Sequence, residues 1–261
     1  MSLAERYPLD LEQTSYSYVE RPNEVLLDLL TRHVLGSTRT ARILDIGCGA
    51  GANARAIRAR FPKATLCGIE PNEHAIALAR EVFDEMFHGL SSDWLKTSPK
   101  TSYDAVILSD VVEHIPDPVT ALRDLVSAPA LKNATWIVSV PNYAVWYNRV
   151  RTLAGSFEYG WSGLYDRTHL RFFTRRSIHE LLRYVGLDVL DDKCTPSIVQ
   201  SLAPVLRSFF EKDVTQGNHL SLTESKPFQL YSKYVEPVET AACQLAPSLL
   251  GFQIVTAARR A

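Results

Sequence analysis

Short apolar runs alternate with longer amphipathic segments between residues 41 and 140. The runs are rich in β-branched residues and nearly continuous in hydrophobicity, as expected for strands buried on both faces of a parallel sheet. They cover residues 41–47, 64–70, 103–109 and 135–140. The intervening segments carry apolar residues at helical spacing and cover residues 52–61, 73–83 and 118–126. Repeated strand–helix units of this kind predict a doubly wound α/β fold with a mostly parallel sheet.

Further elements are predicted on both sides of this core. A helical pattern occupies residues 23–35, and Thr174 is placed to cap a helix over residues 174–185. A strand pattern follows at 186–192, and another covers 250–260. We therefore expect one domain with four parts. These are an N-terminal helical segment (1–40), the core (41–195), a helical cap inserted before the last strand (196–247) and the final strand (250–260).

Composition limits the classes of partner. The 261 residues are 46% hydrophobic, which is enough to bury a full core. The 28 basic and 29 acidic residues leave a formal charge of −1, so no global positive field is available to hold a nucleic acid. This charge balance argues against a nucleic-acid partner.

The cysteines and the N-terminal sequence bear on the compartment. The four cysteines are far apart and have no metal-ligand spacing, which indicates free thiols in a reducing environment. The N-terminal residues carry charges where a signal peptide needs an apolar stretch, and no apolar run approaches the roughly 20 residues of a membrane span. We expect a cytoplasmic protein without a transmembrane segment.

Three glycines on alternate positions follow the first predicted strand, in ILDIGCGAG (43–51). Glycine allows positive φ and lets a ligand approach the main chain, so Gly47, Gly49 and Gly51 predict a ligand-binding turn. A dinucleotide site would instead carry G-x-G-x-x-G and a phosphate. Asp45 would repel a pyrophosphate but attract an ammonium group. A nicotinamide-dependent dehydrogenase is therefore the least favoured enzyme.

Glu70 ends the second predicted strand, about 20 residues after the glycine turn, where a carboxylate can accept both hydroxyls of a ribose. An adenosine with an amino-acid ammonium and no phosphate describes S-adenosylmethionine. The ordered motifs ILDIGCGAG, GIEPN, YDAVILSDVVEHIPDP and IVSVPN make the chain resemble the class I S-adenosylmethionine-dependent methyltransferases over roughly residues 15–195 and the final strand. The resemblance implies a seven-stranded, Rossmann-like sheet.

The resemblance also implies a set of cofactor-binding residues. They are Arg21, Asp45, Gly47, Cys48, Gly49, Gly51, Asn53, Glu70, Pro71, Asp93, Ser109 and Asp110. Arg21 would meet the cofactor carboxylate, or it is a surface arginine. The family usually has an acid soon after the third strand to bind the adenine amine, but here Gly89 is followed by Leu90 and two serines before Asp93. Either Asp93 has shifted into this role or a serine or backbone group replaces it.

A polar cluster is expected at the methyl-transfer site. Asp110, Glu113 and His114 follow the strand predicted at 103–109, and His169 arrives in a later loop. The D-x-x-E-H spacing resembles the metal ligands of small-RNA 3′-terminal 2′-O-methyltransferases and ubiquinone-pathway O-methyltransferases, which would imply Mg²⁺, Mn²⁺ or Zn²⁺ bound by these four residues. Two alternatives stay open: acid–base catalysis by the histidines without a metal, and a purely structural role for His114.

The connection 142–173 is unusually aromatic, and long loops of compact domains are often functional. Its aromatic rings would form a wall for an acceptor, or about half of them are core. The residues predicted to bind substrate are Tyr16, Tyr143, Trp146, Tyr165 and Arg167.

The aromatic connection, the segment DRTHLRFFTRRSIHELLRYVGL (166–187) and the helical stretch before the last strand resemble a broad bacterial methyltransferase subfamily. This resemblance favours O-methylation of a small-molecule, sugar-like or secondary-metabolite hydroxyl with S-adenosylmethionine. One alternative is a metal-dependent RNA 2′-O-methyltransferase, and another is a degenerate methyltransferase fold that only binds. An apolar face within 196–247 leaves a homodimer open.

Overall fold

The computed structural model describes residues 22–38, 40–160, 163–196 and 230–261. Seven strands lie within these ranges. They are β1 (Arg42–Ile46), β2 (Thr65–Glu70), β3 (Glu85–His88), β4 (Ala105–Ser109), β5 (Thr135–Pro141), β6 (Leu187–Pro196) and β7 (Gly251–Arg260). They form one sheet in the order β3-β2-β1-β4-β5-β7-β6. The predicted seven-stranded, mostly parallel sheet is confirmed.

Helices cover the sheet. The α-helices are α1 (Glu24–Leu30), α2 (Ala52–Arg60), α3 (Glu73–Ala79), α4 (Ser91–Lys96), α5 (Pro118–Ser127), α6 (Trp146–Leu153), α7 (Arg175–Tyr184), α8 (Glu236–Leu245) and α9 (Pro247–Leu250). Short 3₁₀ turns cover Val112–His114 and Pro129–Leu131, and π-helical turns cover Thr31–Leu35 and Tyr231–Val235. Across the residues that the structure describes, no helix is long and apolar enough to cross a bilayer.

The pairing of the strands explains where ligands can bind. The β1–β2, β1–β4, β2–β3 and β4–β5 pairs are parallel, whereas β7 runs antiparallel to both β5 and β6. The carboxyl ends of β1, β2 and β4 therefore meet at one edge, where open α/β sheets bind their ligands. Successive side chains of a strand point to opposite faces. Accordingly, Leu44 and Ile46 pack in one apolar cluster and Ile43 in the other.

Local sequence signals account for the starts of several helices. The side chain of Asn23 caps α1, Asn72 caps α3 and Thr174 caps α7 by accepting a backbone N–H in the first turn. The helix predicted over 23–35 changes to a π-helical turn after Leu30, and the helix predicted over 73–83 already ends at Ala79.

Two helices lie where the sequence analysis predicts no helix. The predicted loop 142–173 contains helix α6, and α4 forms directly after β3. Of the predicted helical cap, residues 197–229 lie outside the described residues, while 230–250 are mainly helical.

Candidate active site

The glycine turn adopts the conformation that its sequence predicts. Gly47, Gly49 and Gly51 have φ angles of +69°, +53° and +84°, a region that side chains with a Cβ rarely adopt. A Cβ on Gly47 would also lie 2.6 Å from Cγ2 of Val111, which follows β4. The turn thus packs directly against the chain segment that carries the predicted transfer site.

Glu70 closes the turn from the neighbouring strand. Its carboxylate is 6% exposed and accepts hydrogen bonds from the backbone N–H of Gly49, at 2.8 Å, and of Asn72, at 2.9 Å. Hydrogen bonds to a charged acceptor are stronger than those between neutral groups. Glu70 therefore fixes the glycine turn and presents a carboxylate at the edge where β1 and β2 end.

Asp45 is a buried acid with no compensating charge in the part of the chain that the structure describes. It is 4% exposed, and its Oδ1 has no hydrogen-bond donor among the described residues. Burial, together with the negative charge of Glu70, raises the pKa of Asp45 to about 8. A buried acceptor of this kind favours a cationic ligand, because a nearby positive charge would stabilise its ionised form.

The other predicted cofactor residues around the turn have smaller roles in its structure. Cys48 is half-buried, and burial together with the Asp45 and Glu70 charges raises the pKa of its thiol, so the thiol stays protonated. Asn53 accepts a hydrogen bond from the backbone N–H of Asn23 at 2.9 Å. The carbonyl of Pro71 lies 3.0 Å from Nε2 of His88.

Asp93, the predicted adenine-binding acid, lies in the first turn of α4. Its carboxylate accepts a hydrogen bond from the Lys96 ammonium at 2.7 Å, and its side chain is 47% exposed. This neighbouring charge lowers the pKa of Asp93. Asp93 therefore has a local surface partner, and its part in adenine binding stays a prediction.

The segment after β4, residues 110–114, is named the transfer segment, and it begins with Asp110 in a left-handed conformation, with φ of +55°. Its carboxylate accepts from Nε2 of Gln253 at 2.6 Å and from Oγ of Ser139 at 3.3 Å. Burial raises the pKa of Asp110 to about 6, against the opposite effect of these two donors. Ser109 lies beside it, with its Oγ 3.3 Å from Oγ of Ser139.

Glu113, His114 and His169, three of the four residues of the predicted metal-ligand set, lie together in the structure. Their potential ligand atoms all lie within 4.8 Å of one another. The group forms because the loop after α6 returns to the transfer segment: the backbone N–H groups of Leu170 and Arg171 both donate to the carbonyl of Glu113, at 2.9 and 3.0 Å. Asp110 was predicted in the same ligand set, but the structure joins its carboxylate to Gln253 and Ser139 instead.

Both histidines of this group are held through Nδ1 by a main-chain carbonyl. Nδ1 of His114 lies 3.1 Å from the carbonyl of Thr168, and Nδ1 of His169 lies 3.1 Å from the carbonyl of Leu164. A carbonyl can only accept, so each Nδ1 donates and each neutral ring keeps the Nε2 lone pair available. Burial lowers the pKa of both rings, which favours the neutral form.

Glu113 is the most isolated group of the site. It is 1% exposed, and neither carboxylate oxygen has a hydrogen-bond partner among the described residues. Burial and the charge of Asp110 raise the pKa of Glu113 well above its usual range. Such a carboxyl group is either protonated or compensated by a cation.

The aromatic residues predicted to bind substrate divide into two groups. Tyr165 is 5% exposed and forms a small apolar cluster with Val145 and Leu164, against which the half-buried Tyr143 packs at a ring-centroid distance of 6.3 Å from Tyr165. Trp146 is 38% exposed and is available to an acceptor. Arg167 is half-buried in the same loop as His169. Tyr16 and Arg21 lie outside the described residues.

Sequence reasoning missed Gln253, Ser139 and Thr168. Gln253 had the clearest signal, because it is the one amide within the apolar run GFQIVTA of β7. Thr168 supports the turn that carries His169, since its backbone N–H and hydroxyl both donate to Oδ1 of Asp166, at 2.9 and 2.7 Å.

Comparison with known proteins gives a consistent family. The model of a methyltransferase-domain family matches residues 18–192. A ubiquinone biosynthesis O-methyltransferase of Neisseria meningitidis is 26% identical over 179 residues, covering 66% of this chain and 73% of that enzyme. The same-named enzyme of Alkalilimnicola ehrlichii is 32% identical over 106 residues, covering 39% of this chain and 42% of that enzyme. The latter match thus spans less than half of the relative's length.

Solved structures confirm the fold at low sequence identity. A SAM-dependent methyltransferase from Archaeoglobus fulgidus superposes with a TM-score of 0.55 at 18% identity, covering 96% of this chain and 98% of that one. A putative sarcosine dimethylglycine methyltransferase from Galdieria sulphuraria gives 0.58 at 16% identity, covering 90% and 84%.

Proposed function

The chain belongs to the methyltransferase-domain family, and on that premise we propose that it transfers a methyl group from S-adenosylmethionine to a hydroxyl of a small molecule. The observation that carries the cofactor assignment is the pair of buried carboxylates beside the glycine turn. Asp45 has a buried oxygen with no hydrogen-bond partner among the described residues, and Glu70 lies at the end of the adjacent strand. An amino-acid ammonium near Asp45 and ribose hydroxyls near Glu70 would satisfy both groups.

The residues present fit this cofactor. Gly47, Gly49 and Gly51 would allow its methionine portion to approach the main chain, with Asp45 supplying the anionic partner of the ammonium. When bound, the cofactor supplies a methyl group on a sulfonium, which is already an activated electrophile. The protein's remaining task is to orient a nucleophile in line and to accept its proton.

The neutral histidines support a hydroxyl acceptor. His114 and His169 each keep an Nε2 lone pair, and such a group can accept a proton from a hydroxyl near neutral pH. Similarity to ubiquinone biosynthesis O-methyltransferases, although partial, points to the same acceptor atom. Acceptor recognition is assigned to the exposed face of Trp146.

A divalent cation would also fit the Glu113–His114–His169 group. One carboxylate and two imidazole nitrogens within 4.8 Å suit Zn²⁺ or Mn²⁺, and Mg²⁺ with added water ligands. When bound, the cation lowers the pKa of an acceptor hydroxyl. Glu113 supports this assignment, because a cation would compensate a buried carboxylate that has no described donor.

The acceptor class is tested with a panel of small molecules. Purified protein is incubated with S-adenosylmethionine and one acceptor at a time: a catechol, its monomethyl ether, a hexose or a short RNA. Each reaction is run with and without Mg²⁺, Mn²⁺ or Zn²⁺, and the S-adenosylhomocysteine formed is measured. Product with the catechol or the hexose supports the proposal. Product with RNA and with no small molecule would contradict the proposal and identify RNA as the acceptor. The formal charge of −1 does not favour that result.

A further inference from the structure

The side-chain amide of Gln253 joins three segments beside the proposed transfer site. Its Nε2 donates to Oδ2 of Asp110 at 2.6 Å. Its Oε1 accepts from Nδ2 of Asn23 at 3.2 Å and from Oγ1 of Thr195 at 3.3 Å. Because donors lie on the oxygen side and a carboxylate on the nitrogen side, the network determines which way the amide points.

Asp110 needs such support. Its φ of +55° lies in a region that non-glycine residues adopt at a cost, and residues of this kind persist where the surrounding structure holds them. Its backbone N–H donates to the carbonyl of Ser139 at 3.1 Å, and the hydroxyl of Ser139 donates to its Oδ1 at 3.3 Å. Gln253 supplies the third contact and holds the other carboxylate oxygen.

The same network continues to the glycine turn. Asn23 caps α1 and donates its backbone N–H to Oδ1 of Asn53 at 2.9 Å, and Asn53 is the second residue of α2, directly after the turn. Asp110 is connected to that turn on its other side, since Val111 packs where a Cβ of Gly47 would lie. Gln253 therefore links the start of α1 and, through it, the cofactor-binding turn with the transfer segment.

We propose that Gln253 is a positioning residue that holds the Asp110 carboxylate in the methyl-transfer site and joins it to the cofactor-binding turn. The predicted effect of Gln253 on cofactor binding rests on the proposed function. The hydrogen bonds of Gln253 themselves do not depend on that function. The carboxylate–amide pairing has a definite polarity, with the donor on residue 253 and the acceptor on residue 110. Reversing that polarity gives a specific test.

The first test is a double-mutant cycle on the full chain, read as the midpoint of thermal unfolding at pH 8. The variants are Gln253→Glu, Asp110→Asn and both together. Gln253→Glu opposes two carboxylates, so it should lower the midpoint more than Gln253→Met, although glutamate is closer to glutamine in shape and polarity. In the double variant the amide introduced at position 110 would donate to the carboxylate introduced at position 253, and we expect most of the loss to be recovered. Asparagine also tolerates positive φ.

The matched control is Gln244→Glu on α8. The amide of Gln244 donates to the carbonyls of Cys194 and Thr240, so this variant should lose stability without any coupling to Asp110→Asn. If Gln253→Glu is no worse than Gln253→Met, or if its loss remains undiminished in the double variant, then the positioning role is wrong.

The second test measures dissociation constants for S-adenosylmethionine and S-adenosylhomocysteine by calorimetry. Gln253→Met should weaken S-adenosylmethionine binding roughly tenfold, as expected when a hydrogen bond to a charged group is lost. The double variant should recover its unfolding midpoint but not this affinity, because it lacks the Asp110 carboxylate. Unchanged affinity in every variant would overturn the link to the cofactor. Failure of the wild-type protein to bind either ligand would instead contradict the proposed function, while the cycle would still decide the pairing.

Discussion

His114 and His169 meet edge to face, with ring centroids 4.8 Å apart and ring planes at 70°. They come from different segments, and each is held through Nδ1 by a main-chain carbonyl. The two imidazoles and the Glu113 carboxyl group form one polar centre beside the transfer segment, with one possible ligand atom from each within 4.8 Å of the others. Without a cation the two imidazoles can accept a proton, whereas a bound cation would occupy the same lone pairs and would instead lower the pKa of an acceptor hydroxyl.

Replacing either histidine should separate catalysis from cofactor binding. We expect His114→Ala and His169→Ala to slow methyl transfer about 10²- to 10⁴-fold, the usual contribution of a positioned acid or base, while the dissociation constant for S-adenosylmethionine changes less than about twofold. Single-turnover kinetics and calorimetry measure the two quantities. The exposed His74 provides the control variant His74→Ala. If both site variants turned over at the wild-type rate, the proposed catalytic role of this centre would be wrong.

The buried carboxyl group of Glu113 should oppose folding when no cation is present. Its folded-state pKa is raised, so the folded protein keeps this proton after the unfolded chain has released it, and stability falls as pH rises above the normal glutamate pKa. In EDTA, Glu113→Gln should therefore raise the unfolding midpoint at pH 8 but hardly change it at pH 4. Each kcal/mol corresponds to roughly 2–4 °C.

The same variant should lose any metal-dependent stabilisation. Adding Zn²⁺ or Mn²⁺ is expected to raise the midpoint of the wild-type protein and of the surface control Glu180→Gln, but not that of Glu113→Gln. An equal rise in all three proteins would show that the ion binds elsewhere.

Asp45 should make the free energy of unfolding depend on pH within a defined range. The folded-state pKa of about 8 lies above the unfolded value of about 3.9, so the unfolding free energy should decline between roughly pH 4 and pH 8. Asp45→Asn should remove this part of the decline and make the ligand-free protein more stable at pH 8, while it weakens binding of S-adenosylmethionine. Urea unfolding at four pH values and calorimetry test both effects. The exposed Asp188→Asn is the control, and a parent-like pH profile in Asp45→Asn would refute the assignment.

Glu70 should be sensitive to an isosteric change. In Glu70→Gln, an NH₂ group replaces one carboxylate oxygen and cannot accept from Gly49 or Asn72, so one backbone donor loses its partner. We expect a loss of about 1–3 kcal/mol in stability and at least a tenfold increase in the dissociation constant for S-adenosylmethionine. Glu180→Gln should leave both quantities unchanged. Parent-like cofactor affinity in Glu70→Gln would contradict its role.

The sequence predicts the centre of this fold well because burial simplifies it. Strands β1, β2, β4 and β5 are covered on both faces, and their continuous apolar runs are easy to recognise. Strand β3 lies at the sheet edge and reads EMFH, with exposed ends, so its sequence has no comparable signal. Helix α6 begins shortly after Asn142 and Tyr143, within the aromatic segment that the sequence analysis interprets as a loop.

The site is predictable only where neighbouring strand ends fix its geometry. Asp45 and Glu70 follow from the glycine turn and the parallel β1–β2 pair. The meeting of His114 with His169 depends on backbone bonds to the Glu113 carbonyl, which no spacing rule specifies. The Asp110–Gln253 contact depends on the left-handed φ of Asp110 and on the antiparallel placement of β7, where Val140 and Pro141 pair with Ile254 and Gln253.

Calorimetric titration of the full chain with S-adenosylmethionine tests the central claim most directly. It is run before and after EDTA treatment, with the metal content measured on the same samples. The account predicts one saturable site whose affinity is reduced in Asp45→Asn and Glu70→Gln and preserved in Asp188→Asn and Glu180→Gln. Well-folded protein that shows no binding of S-adenosylmethionine in either sample would contradict it.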